Sequence, residues 1–204
     1  AQNRILIIPG ANSMVEFSDH YLTSLAKPAV CLAQLETPIA EVEKFIVNAH
    51  KAGSLTILNP APIQKLNSQI ISACDYLVVN ETEGSFLTGK AVEKVSKDEA
   101  QEIGKKLIKL GAKRVVITLA EQGSLYIDEQ RQIYTPAFKI NAIDTTAAGD
   151  AFCGALATSL SNDLPIDYCL KFATAAGALA TTKAGAVPSL PKADEILSML
   201  SSVQ

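Results

Sequence analysis

The sequence predicts an α/β fold: a mostly parallel sheet flanked by helices. Two observations carry this expectation. Short, almost wholly apolar runs recur along the chain, and stretches with apolar residues at helical spacing separate them. The runs are apolar on both faces, as strands covered by helices on both sides must be. Hydrophobic residues make up 48% of the chain and charged residues 19%, which excludes a disordered polypeptide and supplies a sizeable core. The 204 residues are read as a single α/β domain, 1–204.

The elements follow in order. Arg4 to Pro9 reads as the first strand, and Glu16 to Leu25 as a helix. Ala29 to Leu35 is a second buried strand. Pro38 suits a helix start, and Ile39, Val42, Ile46 and Ala49 continue it at helical spacing. Ser54 to Leu58 is the next strand, and Asn59-Pro60-Ala61-Pro62 forces a turn. A helix over Ile63 to Cys74 and a strand over Tyr76 to Val79 come next. Ser96-Lys97-Asp98-Glu99 is a capping box, and Ile103, Leu107 and Leu110 carry that helix to its terminating Gly111. Arg114 to Leu119 is a central strand. Ser124 to Ile127 and Gln132 to Thr135 form a hairpin turning through Asp128 to Arg131. Helices over Ala148 to Leu160, Ile166 to Thr182 and Ala193 to Leu200 complete the chain. Crossovers between parallel strands are expected to be right-handed.

Charge and composition exclude several roles. A net charge of −3 gives no broad attraction to nucleic acid or to anionic membranes. A phosphate ligand must then be held by local dipoles and a metal. No apolar run is long enough to span a bilayer, and no charged-then-apolar leader opens the chain, so a cytoplasmic protein is expected. Cys31, Cys74, Cys153 and Cys169 are scattered, with no metal-ligand spacing, and read as buried free thiols rather than disulfides. His20 and His50 are isolated and read as ordinary histidines. The chain starts at Ala1 and enters an apolar strand within a few residues. An absent upstream part is expected, with a processed or an artificial start as the alternatives.

In a parallel sheet the ligand site lies beyond the carboxyl ends of the strands. Glu36, Asn80 and the loop Ala120 to Gly123 each follow a strand, so polar groups gather at one edge. The sharpest signal is Asp144-Thr145-Thr146-Ala147-Ala148-Gly149-Asp150-Ala151-Phe152. Small residues lead into a helix whose first N–H groups are open, and the positive end of its dipole suits phosphate oxygens. A carboxylate there, Asp150, is placed to serve as a base. The alternative is a plain N-cap aspartate.

That string resembles the D-T-x-[AG]-A-G-D signature of the ribokinase-like (PfkB) carbohydrate kinases, and the double alanine is closest to the ribokinase branch. The resemblance covers essentially the whole chain. Asn3 to Ile5, Pro9 to Asn12, Gln34 to Pro38, Asn59 to Pro62, Asn80 to Glu83 and Gly185 to Ser189 match family segments in family order. It implies a Rossmann-like fold and ATP-dependent phosphorylation of D-ribose at the 5-hydroxyl. The alternatives are another pentose, a ketohexose or a nucleoside as acceptor, or a non-catalytic nucleotide-binding module.

The resemblance also implies residue roles. Asp150 is the catalytic base, and Ala147, Ala148 and Gly149 form an anion hole. Asn80, Thr118, Leu119, Ala120, Glu121, Gln122, Gly123, Gly149 and Thr174 bind ATP. Glu36 contacts the sugar, with a dipole-favoured helix-start acid as the alternative. Glu83 of the N-x-x-E motif organises Mg²⁺ through water, with a solvated helix-start glutamate as the alternative. Asp144, Thr146, Ala180, Lys183, Gly185 and Ser189 hold K⁺, mostly through backbone carbonyls. Ala120 stands where the family has glycine, so the turn is expected to form only with φ negative there. The family's sugar-binding Asp, its G-G-K-G-A-N motif and its β lid find no match in the sequence, and no Gly-Gly pair occurs. The resemblance places them upstream and gives the whole protein a homodimer through the lid, with the 204-residue chain alone inactive.

Overall fold

The computed structural model describes residues 8–24, 30–90 and 95–202. Most of the expected first strand, Arg4 to Ile7, lies outside these residues, as do Leu25 and Ala29. Ile8 and Pro9 are not strand; they lead into a 3₁₀ turn, Gly10–Met14.

One six-stranded sheet organises the rest. Its strands are β1 (Val30–Ala33), β2 (Leu55–Leu58), β3 (Tyr76–Asn80), β4 (Val115–Thr118), β5 (Ser124–Ile127) and β6 (Gln132–Thr135), in that spatial order. β1 to β4 pair in parallel, and β5 and β6 add as an antiparallel hairpin. The helices are α1 (His20–Ser24), α2 (Ile39–Lys51), α3 (Ser68–Ala73), α4 (Glu81–Leu87), α5 (Lys97–Lys109), α6 (Ala148–Ser161), α7 (Ile166–Ala180) and α8 (Ala193–Ser201).

The alternation of side chains along each strand divides the core in two. Leu58, Leu77, Val79, Val115, Ile117 and Leu125 face the layer of α2, α3 and α5, where Ile46, Ile70, Ile103 and Leu107 receive them. Ile57, Tyr76, Val78, Val116 and Tyr126 face the opposite layer, filled by Phe152, Leu156, Leu170, Ala173 and Ile196 of α6, α7 and α8. Burial on both faces is why the strands read as unbroken apolar runs.

Two helices are shorter than the sequence suggests. The helix expected over Glu16 to Leu25 reduces to the single turn of α1. Phe17 instead gives its N–H to Glu41 Oε2 at 2.9 Å and stacks edge-on against Phe45 at 5.4 Å, which anchors Glu16 to Ser18 to α2 in a non-helical form. The helix expected from Ile63 starts only at Ser68, because Asn67 Oδ1 accepts the Ile70 N–H and sets the N-cap there. The Ser96–Glu99 capping box is present at α5, and Gly111 follows that helix with φ +107. The four cysteines are buried and unbridged. Burial pushes the thiols of Cys74 and Cys153 up to about 12, so neither is a nucleophile. Among the described residues no helix is long and apolar enough to cross a membrane.

Candidate active site

Two cavities open at the carboxyl ends of the parallel strands. The larger, about 600 Å³, is walled by Asn80 after β3, by Thr118 and the Ala120 to Gly123 turn after β4, and by Ala148 and Gly149 at the start of α6. Thr174, Gly177, Ala178 and Thr181 give it one face of α7. The second, about 390 Å³, is lined by Gln34, Glu36 and Thr37 after β1, with Phe17 and Tyr21 opposite. The three post-strand positions thus gather at one edge, but in two cavities: Asn80 and the turn in the first, Glu36 in the second.

Asp150 joins the two. It is the third residue of α6, directly after Ala148 and Gly149 of the first cavity, and its Oδ1 accepts a 2.7 Å hydrogen bond from Gln34 Nε2 of the second. It is not an N-cap. That position belongs to Ala147, which has φ +60 and makes no side-chain cap. Ala148 N–H reaches Thr145 O at 3.3 Å, while the N–H groups of Gly149 and Asp150 have no acceptor among the described residues. A Cβ built on Gly149 meets nothing within 4 Å, so no protein contact requires glycine there; what it leaves is bare backbone facing the cavity.

Asn80 and Glu83 form a reciprocal capping box at α4. Asn80 Oδ1 accepts from Glu83 N–H, and Glu83 accepts from Asn80 N–H at 2.8 Å and from Asn80 Nδ2 at 2.9 Å. Glu83 is 7% exposed, which overturns the solvated alternative, and burial raises its pKa against the opposing pull of the Asn80 N–H. Each oxygen keeps a lone pair, but Glu83 itself lines neither cavity; its neighbours Asn80 and Glu81 line the larger one.

The turn after β4 corrects the expectation at Ala120. Its φ is +45, in the left-handed region, not negative. The turn is closed by Leu119 N–H to Gly123 O and Gln122 N–H to Leu119 O, both at 2.8 Å, and these bonds hold the alanine in a conformation that glycine adopts at less cost. Leu119 is fully buried in the core, and the Gln122 amide donates to Val95 O, so neither side chain reaches the cavity. Thr174 lines it, but its hydroxyl is paired with Ser124 Oγ at 3.0 Å.

The Asp144 region forms a tight corner. Asp144 Oδ1 accepts from Thr146 Oγ1 at 2.6 Å and from its N–H at 2.9 Å; Oδ2 accepts from Gly185 N–H at 2.9 Å. These donors, the Thr146 hydroxyl foremost, hold its carboxyl down at about 2. Ile143 and Asp144 N–H both bond Thr181 O, which ties the loop before α6 to the end of α7. The corner therefore gathers Asp144, Thr146 and Gly185 around a carboxylate that stays charged. Lys183 turns away to Glu195 at 2.8 Å, and Ser189 Oγ bonds Ala186 O.

Sequence reasoning missed Gln34 and Asn59 as site residues, and missed the α7 wall. The wall had a signal: Thr174, Gly177, Ala178 and Thr181 are spaced i, i+3, i+4 and i+7, one helical face of small residues.

Fold and site together define an α/β protein whose ligand cavities lie along the carboxyl edge of a mostly parallel sheet. The chain belongs to the pfkB family of carbohydrate kinases, whose family model matches residues 1–193. It is similar to the ribokinase of Schizosaccharomyces pombe, 35% identical over 199 residues, which are 96% of this chain and 63% of that protein. It is 32% identical to the deoxyribokinase of Salmonella typhimurium over 98% of this chain and 66% of that protein. Among solved structures, the Arabidopsis thaliana ribokinase complexed with ribose and ATP superposes with a TM-score of 0.89 at 31% identity, covering 98% of this chain and 65% of that one. The chain thus spans about two thirds of the length of the relatives it matches, and it has their fold.

Proposed function

We propose that the protein transfers the terminal phosphoryl group of ATP to the 5-hydroxyl of D-ribose, with Asp150 as general base. The observation that carries this reading is the position of Asp150. It stands between a cavity large enough for a nucleotide and a second, smaller one, at a helix start where the N–H groups of Gly149 and Asp150 lack acceptors among the described residues. In the reaction the free Asp150 oxygen takes the hydroxyl proton as the sugar oxygen bonds to phosphorus, and the bond to the ADP oxygen breaks. The N–H groups of Ala147 and Gly149 receive the charge on the transferring group, while that of Ala148 is held by Thr145 O. ATP occupies the larger cavity along Asn80, Thr118, Ala120, Glu121, Gly123 and Thr174. The sugar lies toward Glu36.

Mg²⁺, held through water by Glu83, would neutralise phosphate charge. K⁺ at the corner of Asp144, Thr146 and Gly185, with Ala180 and Ser189 near by in sequence, would hold the loop that leads into the anion hole. Lys183 belongs to this set through its backbone carbonyl alone, its ammonium being paired with Glu195.

The deciding assay is ATP-dependent phosphorylation with ribose, 2-deoxyribose, fructose and adenosine as acceptors, using the full-length protein. Ribose is expected to give the highest kcat/KM. Preference for another acceptor would overturn the substrate assignment, and no turnover with any would overturn the activity. The cation has its own test. At fixed ionic strength and saturating magnesium, turnover is expected to rise when sodium is replaced by potassium. Equal rates in the two salts would remove the cation from this reading.

A further inference from the structure

We infer that Gln34 and Asn59 form a positioning relay that aims the carboxylate of Asp150; this rests on the proposed reading of Asp150 as the base. The relay crosses three strand ends. Asn59 Nδ2 donates to Val78 O on β3 at 3.0 Å, Asn59 Oδ1 accepts from Gln34 Nε2 at 3.0 Å, and the same Nε2 donates to Asp150 Oδ1 at 2.7 Å. Asn59 follows β2, is 9% exposed, and has its own N–H fixed on Ala33 O at 2.9 Å. Gln34 follows β1 directly.

Chemistry fixes the direction of every bond in the chain. The Val78 carbonyl can only accept, so the Asn59 amide must turn its NH₂ toward β3 and its oxygen toward Gln34. The Gln34 amide must then present its NH₂, and both N–H bonds are used, one on Asn59 and one on Asp150. Reversing the Gln34 amide would set its oxygen against a carbonyl oxygen and a carboxylate, with no proton between them. The sheet backbone thus dictates which atom meets Asp150.

The consequence is a carboxylate with two unequal oxygens. Oδ1 is occupied by Gln34; Oδ2 is left to accept a proton. Asp150 lies on the exposed start of α6, where an unheld side chain would sample several rotamers. Preorganised placement of a reacting group is where a displacement of about 1 Å can cost on the order of a hundredfold in rate.

The experiment compares Gln34→Leu, Gln34→Glu, Asn59→Leu, the Gln34→Leu/Asn59→Leu pair and Asp150→Asn in the full-length protein, reading kcat, both KM values and thermal melting. Gln34→Leu is expected to lower kcat about 10- to 100-fold with KM for ATP within about twofold. Gln34→Glu keeps the shape and loses the N–H donor, so it should be at least as slow. Asn59→Leu should be slowed in the same direction, and the pair should be no slower than the worse single variant, as members of one relay. Should Gln34→Leu melt early, the isosteric Gln34→Glu decides. Wild-type kcat in Gln34→Glu, or multiplying effects in the pair, would overturn the relay. Either result alongside an inactive Asp150→Asn leaves the base standing, whereas an active Asp150→Asn removes the base itself.

Discussion

Asp150→Asn is expected to abolish sugar phosphorylation in the full-length protein while ATP affinity stays within about twofold. The substitution keeps size and shape but exchanges an anionic, proton-accepting carboxylate for a neutral amide that cannot act as a base. Loss of a general base typically lowers the rate about 10²- to 10⁴-fold. ATP affinity should survive because the larger cavity is walled by β3, α4, β4 and the turn after it, the segment from Ala137 to Thr145, α7, and Ala148, Gly149 and Phe152 of α6, and Asp150 is not among the lining residues. The new amide can still meet Gln34, since its oxygen accepts where the carboxylate did. Turnover within tenfold of the parent, measured by ribose-dependent ADP release with ATP affinity taken from calorimetric titration, would defeat the assignment.

Much of the fold was legible because it rests on local chemistry. The Ser96–Glu99 box, Pro38 before α2 and the alternation of buried strand residues each act within a few residues, and each element lies where the pattern placed it. The errors arose where a distant residue decided a local conformation. Phe17 is drawn from helix by Glu41 and Phe45 on α2, twenty-four or more positions along. Asn67 could be read either as a helical residue or as a cap, and only its bond to Ile70 settles the choice.

The site divides in the same way. The Asp144 to Phe152 string was readable because an open helix start is a sequence-local device. Glu83 was readable by motif, but its burial beneath the box with Asn80 was not. Gln34 and Asn59 lie in recognisable segments, yet Gln34 meets Asp150 across 116 positions and Asn59 across 25. No periodicity or spacing rule reaches across three strands. Ala120 shows the converse limit: a rule about φ for non-glycine residues forbade what two backbone hydrogen bonds then enforce.

Two glycines of the site are expected to respond in opposite ways to alanine. Gly123 has φ +104, and a Cβ there would stand 2.0 Å from Thr135 O, 2.6 Å from Ala137 N and 2.7 Å from Pro136 C. All three are backbone atoms at the end of β6, so no side chain can swing aside. The residue also pairs its carbonyl with Leu119 N–H to close the turn after β4. Backbone strain of about 1–3 kcal/mol and a steric intrusion of about 1–3 kcal/mol both apply. Gly123→Ala should therefore lose roughly 3–5 kcal/mol, which lowers Tm by roughly 10 °C for a chain of this size. Gly149 has open space where the Cβ would lie and sits in the first turn of α6. Gly149→Ala should leave Tm unchanged or raise it slightly, since alanine favours helix by up to about 1 kcal/mol. On the proposed reading its methyl group covers the N–H groups that meet phosphate, so ATP affinity and turnover should fall while the fold holds. Thermal melting of the 204-residue chain and calorimetric titration with ATP measure both effects. A Gly123→Ala melting point within about 2 °C of the parent would show that β6 and the turn yield freely, and an unimpaired Gly149→Ala would show that phosphate does not approach the start of α6.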